Sequence, residues 1–124
     1  MKKYLLSFLI LIISSSFTSA SFSQIINAIK TGKSDEVAKY LDSTVEITLP
    51  NKSNSYSKSQ AELVLHEFFT NNPVKNFEVL HQSENGNSQY CIGNLSTSTG
   101  VFRTTIFIKQ KGQKQLVQEL RFEN

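Results

Sequence analysis

The chain has 124 residues, of which 13 are Lys or Arg, 10 are Asp or Glu and 39% are hydrophobic, for a formal charge of +3. That length supports one domain, because two cores would each be too small to be stable. Lys2 and Lys3 lie in the first three residues; without them the balance is 11 against 10, too even for a nucleic-acid partner, which requires concentrated cationic charge.

The opening segment has the three-part pattern of a secretory signal peptide. Met1, Lys2 and Lys3 are the positive region, residues 4–13 are apolar except for Ser7, and a Ser-rich stretch ends in Thr18, Ser19 and Ala20. Small side chains at Thr18 and Ala20 suit shallow peptidase pockets, which places cleavage between Ala20 and Ser21. The apolar run is shorter than the roughly 20 residues that a spanning helix needs. The expectation is an exported protein, periplasmic or secreted. Residues 1–20 are removed, residues 21–124 form a single domain, and no stable membrane span remains after cleavage.

Phe22, Ile25, Ile26 and Ile29 stand at i, i+3, i+4 and i+7, which predicts a helix over 23–31 ended by Gly32 in a left-handed cap. Ser34 then caps a second helix with Asp35 and Glu36 in its first turn and Val37, Ala38, Tyr40 and Leu41 on its buried face. Val45, Ile47 and Leu49 alternate with polar residues and predict a strand stopped by Pro50. Residues 51–55 are turn-rich, and Tyr56 marks a very short return strand.

Ser57 and Gln60 form a capping box that opens a third helix, with Ala61, Val64, Leu65 and Phe68 as its core stripe. Asn72-Pro73 ends it near Asn71, since the residue before proline is pushed out of helical space. The period then becomes two, giving strands over 74–82, 88–96, 101–109 and 115–122. Asn85-Gly86 predicts a type I′ hairpin turn, Gly93 a bulge, and Gly100 and Gly112 two further turns. Helices followed by a run of hairpins read as α+β. Three helices in the N-terminal half pack on a curved antiparallel sheet of four long strands plus a short early strand or hairpin.

That order resembles the nuclear transport factor 2-like, or cystatin-like cone, superfamily. The local residues sharpen the resemblance: Ile29-Lys30-Thr31-Gly32-Lys33-Ser34, then Val37-Ala38-Lys39-Tyr40-Leu41-Asp42, Val45-Glu46-Ile47, Tyr56-Ser57-Lys58-Ser59-Gln60-Ala61, Phe68-Phe69 and Ile92-Gly93-Asn94-Leu95. Together they are similar to a family of small exported bacterial proteins of unknown function within that superfamily, over residues 25–122. The resemblance implies a cone-shaped fold and carries no functional residue. Members of the wider superfamily include enzymes, ligand binders, dimerisation modules and adaptors, so fold alone does not choose.

Enzymes of that superfamily place an acid/base pair inside the cone, which requires a titratable group in a dry pocket beside a second polar group. His81 shares the two-residue alternation of Phe77 and Val79, and Thr104 that of Phe102, Ile106 and Ile108. Gln118 falls with Leu116, Leu120 and Phe122. His81, Tyr90, Thr104 and Gln118 are therefore the candidate pocket-lining residues. His66 falls off the stripe of its helix. Asp35 and Asp42 are read as helix-terminal and Glu46 as solvent-facing, so no inward carboxylate is expected and no catalytic residue is assigned. Two histidines and one cysteine give no metal-ligand spacing, and no phosphate loop appears, so neither metal nor cofactor is expected. Cys91, the single cysteine, stands in an apolar strand setting and is expected to be a buried, unreactive thiol.

The leading expectation is a non-catalytic module that binds a small apolar ligand or a protein. It would be a homodimer through the outer sheet face, where Arg103, Glu119 and Arg121 interleave with Phe107 and Val117. The alternative is a small cone-pocket enzyme of hydrolase, isomerase or dehydratase type with His81 or His66 as base.

Overall fold

The structure, a computed structural model, describes residues 22–124. The expected signal peptide and its expected cleavage site lie outside the described residues. The chain forms α1 (Phe22–Thr31), α2 (Ser34–Ala38), β1 (Leu41–Leu49), β2 (Lys52–Ser57), α3 (Lys58–Asn71), β3 (Val74–Asn85), β4 (Ser88–Thr97), β5 (Gly100–Lys111) and β6 (Lys114–Glu123). Among the described residues no helix is long and apolar enough to cross a membrane.

Local chemistry accounts for the helix ends. Gly32 ends α1 at φ +66°, and its N–H donates to the Ile29 carbonyl at 3.0 Å. A Cβ there would sit 2.9 Å from the Val74 Cβ, so glycine also lets α1 approach the start of β3. Both halves of the α3 capping box are made: the Ser57 hydroxyl accepts from the Gln60 N–H at 3.3 Å, and the Gln60 side chain accepts from the Ser57 N–H at 3.4 Å. The second helix is shorter than its apolar pattern predicts. Ser34 is its first residue and is buried, Lys33 holds the cap position without a side-chain hydrogen bond, and Leu41 already belongs to β1.

The six strands form one sheet in the order β2-β1-β6-β5-β4-β3. The fold class is α+β as the pattern predicts, with one addition: β1 pairs with β6 in parallel, so the sheet is mixed. Every other neighbouring pair is antiparallel. Period-two patterning does not report which strands become neighbours. The first strand therefore reads as part of an early hairpin, yet it sits between β2 and the last strand.

The helices cover one face of the sheet. Ile25, Ile29 and Leu65 from the helices meet Val45, Leu95, Ile106, Leu120 and Phe122 from the strands, and all of these are buried. Cys91 lies in the same core, fully buried, and removal from water pushes its thiol up to about 11.

Two of the register shifts in the sheet move side chains off the faces that the alternation predicts. In β3 the register shifts between Val79 and His81, so Leu80 is the extra residue and His81 pairs with Ile92. In β6 the shift falls opposite Phe107 and Ile108: Glu119 pairs with Phe107, Val117 with Ile108, and Gln118 is the extra residue. Each extra residue reverses the alternation beyond it. Val117, expected on the outer face, is buried, and Leu116, expected inside, is only half-buried.

Gly93 is not bulged. It pairs with both Val79 and Thr104, and the bulge lies on the adjacent strand. The β3–β4 turn also differs from the type I′ expectation. Its central residues are Gly86 and Asn87, between the paired Asn85 and Ser88, and only Gly86 has positive φ. Glycine in the first central place is the II′ pattern.

Candidate functional site

A concavity lies at the end of the sheet where β1 turns into β2. It is a cleft of about 340 Å³, at the lower end of the size range of ligand pockets. Leu49 and Pro50 come from the β1–β2 turn, Val64 and Phe68 from α3, and Phe102 from β5. Asn51, Lys52, Glu67, Asn71, Asn72 and Asn124 supply its polar groups.

Aromatic packing forms the floor. The Phe68 ring lies 4.6 Å from Phe122, 5.2 Å from Phe102 edge-on, and 5.8 Å from Phe69. These rings fill the space between α3 and the sheet, so the cleft is a depression at the mouth of the cone above a packed interior. Asn72 is fixed on its rim: its Nδ2 donates to the Phe68 carbonyl at 2.9 Å, and its Oδ1 accepts from the Thr99 hydroxyl at 2.5 Å. Asn51 and Asn71, also on the lining, are exposed.

The four residues singled out from the sequence are spread over the sheet rather than gathered. Thr104 is fully buried in the core, and its hydroxyl donates to the Phe102 carbonyl at 3.2 Å. Tyr90 is 43% exposed and stacks on Phe107, with ring centroids 4.7 Å apart. That contact lies on the face opposite the helices. His81 is exposed and pairs with Ile92 on that same face. Gln118 sits on the β6 bulge and reaches Asp42, Nε2 to Oδ2, at 2.5 Å. His66 is exposed and borders a separate cleft of about 280 Å³ with Lys33, Ser34, Asp35 and Thr70.

Asp42 departs from its expected place. It lies within β1 rather than at a helix end and is 7% exposed. Its Oδ1 accepts from the Ser43 N–H at 2.7 Å, and its Oδ2 accepts from Gln118 and, at 2.6 Å, from the Lys111 ammonium. The Lys111 and Gln118 hydrogen bonds hold the carboxyl down at about 2. A carboxylate with both oxygens committed and so low a proton affinity is suited to tying strands together, not to moving protons. Its signal in the sequence was faint, because β1 and β6 lose register between Leu41 and Glu46 and the alternation of β1 cannot be followed back to Asp42. Among the described residues no group of three or more His, Cys, Asp or Glu side chains is placed to hold a metal ion.

Comparison with known proteins gives consistent results. The family profile described as "Domain of unknown function (DUF4783)" matches residues 22–123. A crystal structure of a DUF4783 protein from Bacteroides uniformis is 34% identical, covers 82% of this chain and 94% of that one, and has a TM-score of 0.79. One from Bacteroides ovatus is 33% identical, covers 82% of this chain and 93% of that one, and also has a TM-score of 0.79. A protein of unknown function from Cytophaga hutchinsonii, described as NTF2-like, is 13% identical over 81% of this chain and 82% of that one, with a TM-score of 0.58, and shows the fold alone. No curated protein matches the chain. From the family match and the two Bacteroides structures, the chain belongs to the DUF4783 family and has the nuclear transport factor 2-like fold.

Proposed function

We propose that this domain is a non-catalytic, exported binding module that holds a small ligand in the cleft at the mouth of its cone. The observation that carries the reading is the composition of that cleft. Leu49, Val64, Phe68 and Phe102 give it apolar surface, and Asn51 and Asn71 line it with carboxamides that make no hydrogen bond among the described residues. Such a site orients a ligand by an apolar face and a few hydrogen bonds. The ionisable side chains on the lining are Lys52 and Glu67, and both histidines lie elsewhere.

Native mass spectrometry of protein purified from its own host tests this reading. A retained small molecule, lost in an Asn71→Trp variant that fills the cleft, supports it. No retained molecule, or retention unchanged in the variant, sinks it.

Two further parts of the reading concern export and assembly. The leader pattern supports export, and N-terminal sequencing of the mature protein should begin at Ser21. The outer sheet face supports a homodimer. Tyr90 and Phe107 form an aromatic pair there, beside Arg121, which bridges Glu119 at 3.2 Å and Glu123 at 3.6 Å. Phe107→Lys should shift sedimentation from dimer to monomer; an unshifted dimer would place the interface on another face.

A further inference from the structure

The two edges of the sheet are built differently. β3, at one edge, begins after Pro73 and is broken by two register shifts, devices that discourage another strand from pairing. β2, at the other edge, runs in unbroken register with β1 from Lys52 to Ser57 and contains neither proline nor bulge. Its outer row of backbone N–H and C=O groups has no strand beside it among the described residues.

A groove accompanies that edge. It lies between β2 and α3 and is lined by Tyr56, Gln60, Leu63 and Val64. Leu63 is 69% exposed, more than the other exposed large hydrophobics at Leu80, Tyr90 and Val101. Charge brackets the strand as well. Lys52 begins β2 and Lys58 follows it; no acidic residue lies on the strand, and neither lysine has an ionic partner among the described residues. At about 3.3 Å per residue the strand sets the backbones of the two lysines roughly 20 Å apart.

We propose that the free edge of β2 binds an extended peptide as an added strand. The unpaired backbone groups call for another backbone in the extended state, and the groove accepts one apolar side chain against Leu63 and Tyr56. Lys52 and Lys58 select acidic residues at the two ends of a segment about six residues long. The cleft at the mouth of the cone adjoins this site: Val64 lines both the cleft and the groove, and Lys52 lines the cleft as well as beginning β2.

Selection from a displayed library of random linear dodecapeptides tests the proposal, followed by amide chemical-shift mapping of the winning peptide on the purified protein. The expected winners carry an apolar residue between acidic ones and shift the amides of β2 and the facing side of α3. Leu63→Lys should weaken them at least about tenfold. Lys58→Glu should move the selected flank from acidic to basic. Both positions are exposed, and unchanged melting temperatures verify that the variants fold. Selection of nothing, winners without acidic residues, shifts mapping away from β2, or full affinity in Leu63→Lys would each overturn it.

Discussion

Gln118 and Lys111 meet on one oxygen of Asp42, at 2.5 and 2.6 Å. The contact joins the start of β1 to the bulge of β6 and the end of β5, so a single carboxylate ties three strands together. Its pKa is lowered from 3.8 to about 2 by those hydrogen bonds. A group whose pKa falls on folding adds stability that is complete above its unfolded value and is lost as pH drops through its folded value. The protein should therefore lose stability between pH 4 and pH 2. Asp42→Asn should be less stable at neutral pH, by about 2 kcal/mol, and should lack that acid-range component. Urea denaturation across pH measures both; parallel pH profiles would remove Asp42 as the cause.

The bulge in β6 makes a second prediction. Val117 is fully buried, whereas its neighbour Leu116 is half-buried. Val117→Ala should cost about 2 kcal/mol, and Leu116→Ala, although it removes more atoms, less than about 1 kcal/mol. The reverse ranking in thermal unfolding would restore the uninterrupted alternation.

Gly93 is required by its neighbour. A Cβ there would lie 2.6 Å from the Phe77 ring and closer still to the Glu78 carbonyl oxygen. Gly93→Ala should destabilise by about 2–3 kcal/mol through overpacking. Phe77→Leu in that background should recover little, because the backbone carbonyl remains in place. Full recovery would show that the ring alone makes the demand.

Cys91 supplies a fourth test. Its thiol is fully buried and its pKa is raised to about 11 by burial, so little thiolate forms at pH 8. Labelling by a thiol reagent should be slow in the native protein and should follow the unfolding rate as denaturant is added. Rapid labelling of native protein would mean that the β4 core opens locally.

Much of the fold was legible because the signals were local. The capping box at Ser57 and Gln60, the stripe of α3, and the glycines at the hairpin turns each act within a few residues. What failed depended on partners distant in the chain. Period-two reading passes straight through Leu80 and Gln118, because a bulge is defined by the register of the neighbouring strand. It therefore placed His81 with Phe77, and Leu116 in place of Val117. Asp42 was hidden for the same reason, since its partners lie on strands formed far later in the chain. The cleft was half legible: Phe68 and Phe102 read as core residues, but nothing local announces that Asn51 and Asn71 line the same cleft.

The parallel pairing of β1 with β6 bears on timing. β1 holds β2 on one side and waits for β6 on the other, so the sheet stays divided until the last strand has been synthesised. Contacts that close so long a loop form late. Without β6, no strand joins β1 and β2 to β3, β4 and β5.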